Sequence, residues 1–132
     1  MPIPGDKAIQ LVQTAHAQAA QMNTAVTAVV VDESGRVIAL GRMDRARPIT
    51  VDMAMNKAYT AASFQQPTEE LAGVAAQTWF QSLVVSSNGR IMPGGGALPI
   101  VEGGNVVGAI AVAGGTDEQD QRCAAAALAT YI

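Results

Sequence analysis

The stretch that decides the fold is Gly94-Gly95-Gly96-Ala97-Leu98-Pro99-Ile100-Val101-Glu102-Gly103-Gly104-Asn105-Val106-Val107-Gly108-Ala109-Ile110-Ala111-Val112-Ala113-Gly114-Gly115-Thr116-Asp117-Glu118-Gln119. Two apolar runs, residues 97–101 and 106–112, flank Glu102-Gly103-Gly104-Asn105, which marks a hairpin. Thr116, with Gln119 three residues on, forms a capping box, so a helix starts there and runs to Tyr131. Cys123, Ala127, Leu128 and Tyr131 make its inward stripe. Ahead of the hairpin, three consecutive glycines remove every Cβ at one place, which permits positive φ or the close approach of another group. A bare loop beside a buried sheet and a helix N-terminus is either a ligand mouth or a flexible loop at a glycine-tolerant edge. It precedes a strand instead of joining strand to helix, so it is not a nucleotide phosphate loop.

Outward from there, the pattern repeats. Residues 25–31 and 36–40 are strands joined by Asp32-Glu33-Ser34-Gly35, with Gly35 in the left-handed position. Residues 7–22 carry Ala8, Val12, Ala15, Ala19 and Met22 at helical spacing, with Asp6 as the cap. Thr50 caps a second helix to Phe64, whose one side holds Met53, Ala54, Lys57, Ala58 and Ala61. Thr68 caps a short helix at Pro67-Thr68-Glu69-Glu70, where two glutamates favour the positive end of the dipole. Trp79 to Val85 reads as a strand, and Asn88-Gly89 as a turn before Arg90-Ile91-Met92. Helices before, between and after paired strands predict one α+β domain over residues 1–132, on a mixed or antiparallel sheet.

Composition narrows the function. The chain has 132 residues, room for one core. Charged residues are 14%, against roughly 25% in an average soluble domain, and aromatics only 4%. The core must therefore use small aliphatic side chains at close range, and the apolar surplus favours a homo-oligomer. A net charge of −3 with eight basic residues leaves no basic stripe for nucleic acid. No run has the length of a membrane span or signal core, so a cytoplasmic protein without a membrane partner is expected. One histidine and one cysteine cannot assemble a Cys/His zinc site within one chain.

Few residues offer chemistry. Arg42-Met43-Asp44-Arg45-Ala46-Arg47 crowds three guanidinium groups around one carboxylate, either a carboxylate or phosphate anchor or a solvated loop shaped by Asp44. Lys57, on an apolar helix side, either snorkels, pairs with Asp44 or Asp52, or lies desolvated in a site. His16 is the one imidazole, and Cys123 reads as a small core residue. No serine, histidine and acid make a triad.

Taken in order, Ala28-Val29-Val30-Val31-Asp32-Glu33-Ser34-Gly35, Arg42-Met43-Asp44-Arg45-Ala46, Ala54-Met55-Asn56-Lys57-Ala58-Tyr59-Thr60-Ala61, the glycine loop, Val107-Gly108-Ala109-Ile110 and the Gly114-Gly115 cap resemble the GlcG/HbpS family. These are haem-binding or "haem-degrading" domains, also found at the C-terminus of PduO-type proteins. The resemblance covers nearly the whole chain. It implies a profilin-like α/β/α sandwich with a five-stranded antiparallel sheet, in a multi-subunit assembly. The usual Gly-Val-Ser-Gly strand end reads Ala111-Val112-Ala113-Gly114 here.

The resemblance brings the Arg42/Asp44 turn, the Lys57 helix and the glycine loop together. Arg42, Arg45, Thr60, Gly94, Gly95 and Gly96 are then expected to bind a small anionic ligand, haem or a related tetrapyrrole, with His16 as the candidate haem ligand. The alternative is an enzyme of small-acid or aromatic catabolism, with Arg42 or Arg45 anchoring a carboxylate and Lys57 or Asp44 moving protons.

Overall fold

A computed structural model describes residues 2–131 of the domain. The chain runs α1 (Gly5–Gln21), β1 (Thr27–Asp32), β2 (Val37–Arg42), α2 (Ile49–Phe64), a 3₁₀ turn (Thr68–Leu71), α3 (Thr78–Ser86), β3 (Ala97–Glu102), β4 (Asn105–Ala113) and α4 (Asp117–Leu128). Both hairpins form where turn chemistry put them. Gly35 has φ 79°, and Asp32 Oδ1 accepts the N–H groups of Ser34 and Arg36 at 2.8 and 3.0 Å, fixing the first turn.

The two hairpins join along β1 and β4, giving the antiparallel order β2-β1-β4-β3. Among the described residues the sheet has four strands, not the five expected. Trp79–Val85 forms α3, not a strand. That run turns only Phe80 fully inward, onto Leu71, Ile91 and Phe64, while Trp79, Leu83 and Val85 stay exposed.

Helices cover both faces. On one, α1 and α4 pack Leu11, Val12 and Cys123 onto Val30, Ile100, Ile110 and Val112. On the other, α2 lays Ala54, Ala58 and Ala61 onto Ala97, Ala109, Ala111 and Ala113. Alanine opposite alanine lets α2 approach the sheet closely, so any larger group in that layer must have its own niche.

Three expected caps are absent and one is present. α1 follows Pro4 and α2 follows Pro48, neither with a side-chain cap. Thr50 is buried inside α2, donating to the Arg47 carbonyl at 2.6 Å and paired with the Thr27 hydroxyl at 2.8 Å. Thr68 is likewise buried, and its hydroxyl accepts the Ala97 N–H at 3.2 Å, tying the 3₁₀ turn to the start of β3. The Thr116/Gln119 capping box forms as read, although α4 ends at Leu128.

Candidate functional site

The glycine loop closes over the N-terminus of α4, and Lys57 bolts it from beneath. Lys57 lies on the α2 stripe with Ala54, Ala58 and Ala61, and only 3% of it is exposed. Its Nζ donates to the Gly95 carbonyl at 3.0 Å and to Asp120 Oδ2 at 3.4 Å. Asp120 Oδ1 takes the Gly115 N–H at 2.8 Å, so one carboxylate links the ammonium to the end of the β4 strand. On the loop's far side, the Gly96 N–H donates to Gln121 Oε1 at 3.1 Å.

The glycines are needed for this closeness. A Cβ on Gly96, at φ 127°, would stand 2.5 Å from Lys57 Nζ and 2.6 Å from the Val112 carbonyl. One on Gly95 would stand 3.0 Å from the Asp117 carbonyl. The missing side chains therefore make room for α4 and Lys57.

Burial sets the protonation chemistry. Desolvation pushes the Lys57 ammonium below the ordinary lysine range, opposed by Asp120. Desolvation also raises the Asp120 carboxyl, against the pull of Lys57 and the Gly115 N–H. Cys123, buried next along the same stripe, has its thiol pushed up to about 11 by desolvation and by Asp120, and packs as a core group.

Outside the loop lies an open cleft of about 510 Å³. Glu69, Asp117 and Glu118 line it with Arg122, whose guanidinium is 3.6 Å from Glu118. This mouth is acidic, the wrong sign for an anion. The cationic bend lies elsewhere. Arg42, Thr27 and Ala113 share one row across the sheet, so the bend and the loop sit at the same sheet end but on opposite edge strands. Three strand spacings, about 14 Å, separate them. Asp44 and Arg45 line their own depression, with Asn23, Thr24 and Met43. Of the two groups considered for proton transfer, Lys57 is therefore held at Gly95 and Asp120 while Asp44 lines the depression at the bend.

Thr60 is fully buried and spent internally. Its hydroxyl donates to the Asn56 carbonyl and accepts the Met92 N–H, both at 2.7 Å, steering the chain into the glycine loop. His16 lies over β2 with Nε2 2.8 Å from the Gly41 carbonyl, so that nitrogen carries the proton. Among the described residues no hydrogen bond engages its Nδ1. The sequence reading missed Asp120 as the Lys57 partner. Its spacing with Cys123, Ala124 and Ala127, all buried, marks it as an inward acid.

Known proteins share this architecture. A 15.0 kDa protein from the dhaT-dhaS intergenic region of Citrobacter freundii is 38% identical over 120 residues, 90% of this chain and 84% of that one. The crystal structure of Klebsiella pneumoniae protein ORFY superposes with a TM-score of 0.90 at 35% identity, covering 96% of this chain and 88% of that one. The crystal structure of a PduOC:heme complex superposes equally well, TM-score 0.90 at 27% identity, covering 98% and 94%. Residues 3–129 match the family model of the haem degrading protein HbpS-like. A family model matched over residues 3–129 and a relative 38% identical over 90% of the chain have one reading: this chain belongs to the HbpS-like family.

Proposed function

We propose that this chain is a non-catalytic binding module for haem or a related tetrapyrrole, working as a homo-oligomer. The observation that carries it is the PduOC:heme complex, whose fold this chain matches over nearly its whole length. The internal geometry supports binding over turnover. Lys57, the group best placed to lose a proton, is committed to Gly95 and Asp120 behind the loop.

His16 is the one imidazole of the chain and Cys123 is fully buried, so His16 is the iron ligand of this proposal. Its Nδ1 is without a hydrogen bond among the described residues, whereas Nε2 reaches an iron only by giving up Gly41, a bond worth about 1 kcal/mol net. Bound haem would supply a flat, apolar ring and two carboxylates. His16 would hold the iron, and guanidinium groups would hold the carboxylates. Exposed Ile49, Val37, Leu40, Trp79 and Val85 support self-association.

Haem titration tests the reading. A Soret shift that saturates at one haem per subunit is expected, and its absence overturns the proposal. His16→Ala is expected to weaken binding and change the Soret position. Light scattering that shows a stable monomer at low concentration would remove the oligomer from the proposal.

A further inference from the structure

At the opposite end of the sheet from the Arg42 bend, the first hairpin turn faces α2 across a cleft of about 450 Å³. Two guanidinium groups line it, Arg36 and Arg90, and no acid does. Neither arginine has a carboxylate partner within ion-pair distance among the described residues. Of the turn's two acids, Asp32 is committed to the Ser34 and Arg36 N–H groups, and Glu33 is exposed and lines neither this cleft nor the next.

Arg90 is exposed yet held in place. Its guanidinium lies 4.2 Å over the Tyr59 ring, and its Nε donates to the Ser87 carbonyl at 3.1 Å. The two terminal nitrogens are left as an unpaired fork. Tyr59 is itself packed by the turn: a Cβ on Gly35 would stand 2.5 Å from its ring. This arginine is oriented before any ligand arrives, which lowers the entropy lost on binding.

Tyr59 and Arg90 also wall a second cleft of about 450 Å³, whose other side is built from Phe64, Leu83 and Ile91. A cationic fork therefore adjoins an apolar shelf. We propose that these paired clefts bind a small organic carboxylate with an apolar body, its oxygens on Arg36 and Arg90 and its body against Phe64, Leu83 and Ile91. Asn56 adds a neutral hydrogen-bonding group to the oxyanion side. The site stands apart from the haem reading, because a simple acid probes it with no haem present.

The test is an amide chemical-shift titration of the full chain with phenylacetate, phenylacetamide and inorganic phosphate. Phenylacetate is expected to give saturable shifts centred on Gly35, Arg36, Asn56 and Arg90, at millimolar concentrations. The combined Arg36→Gln and Arg90→Gln variant, altered at two exposed positions, is expected to keep its spectrum and bind at least about tenfold more weakly. Leu83→Ser alone is expected to weaken phenylacetate while leaving phosphate unchanged. Equal binding of the neutral amide, tighter binding of phosphate than of the acid, shifts centred elsewhere, or undiminished affinity in the double variant would each overturn the proposal.

Discussion

Lys57→Met is expected to destabilise the domain by about 3–5 kcal/mol at neutral pH, because it strands the Asp120 carboxylate in the interior. Methionine keeps the length and suits the neighbouring alanines, so lost packing contributes little. The loss comes from two named contacts, the 3.0 Å bond to Gly95 and the ion pair with Asp120. Both side chains of that pair are at most 4% exposed, so solvent does not screen them. Whole domains hold about 5–15 kcal/mol, and a deficit of this size corresponds to a melting point roughly 10–20 °C lower. Urea unfolding followed by circular dichroism measures it directly.

The pH dependence has a fixed sign. Burial already raises Asp120 above the ordinary carboxylate range, and Lys57 opposes that rise. Without Lys57 the Asp120 carboxyl rises further. A raised folded-state value means the native state holds a proton the unfolded chain releases, so stability falls as pH climbs through that window. The variant's deficit should therefore shrink on acidification. Adding Asp120→Asn, which removes the stranded charge and keeps an acceptor for Gly115, should recover most of the loss at neutral pH. A Lys57→Met variant within about 0.5 kcal/mol of wild type, or a double variant as unstable as the sum of the singles, would refute the argument.

Four further outcomes are expected. Gly96→Ala should cost at least about 2 kcal/mol in chemical denaturation, since its Cβ meets Val112 at 2.6 Å; Gly5→Ala, with nothing within 4 Å at the start of α1, should stabilise by up to about 1 kcal/mol. Cys123, buried with its thiol pushed up to about 11, should react with a thiol reagent only as fast as the domain opens, so labelling at the free-thiol rate in native buffer would contradict its place in the core. Gly41→Ala, whose Cβ would stand 2.8 Å from His16 Cε1 and 2.9 Å from Val12 Cγ1, should displace the imidazole and alter any haem Soret band, with a smaller loss of stability than Gly96→Ala.

Both hairpins and the α4 cap were legible because turn glycines and a Thr-x-x-Gln box act over a few residues. α3 was misread because Trp79, Val84 and Val85 carry strand composition. The decision lay in one long-range fact: Phe80 is fully buried against Leu71 and Ile91 with Val84 half-buried one helical turn on, while Trp79, Leu83 and Val85 stay exposed. Thr50 and Thr68 look like caps in sequence, yet each hydroxyl serves a distant backbone or side chain in the interior. Lys57 was legible as an ammonium in an apolar stripe, and its nearness to the glycine loop only through the resemblance. Its partner was not, because Asp120 near a helix start has a sufficient local explanation. The arginine bend was grouped with the loop, and strand order alone separates them, since antiparallel pairing of β1 with β4 sends β2 and β3 to opposite edges.

That strand order also sorts the charge. Arg36 and Arg42 stand at the two ends of β2, Arg45 and Arg47 follow it, and Arg90 faces Arg36, so five of the eight basic residues gather about that edge. Glu102 ends β3, and Glu69, Asp117 and Glu118 line the cleft beside its start. A carboxylate ligand therefore meets repulsion at the glycine loop and, with Asp44 and Glu33 outnumbered by the arginines, a net positive edge along β2, the strand over which His16 lies. The charges along β2 are exposed, so their attraction acts mainly on encounter and fades as salt shortens the screening length. Association of a dianionic ligand should slow steeply with added salt if β2 is the side of approach. An association rate that rises with salt would instead place the approach at the acidic cleft of the glycine loop, and one that ignores salt would remove steering by β2.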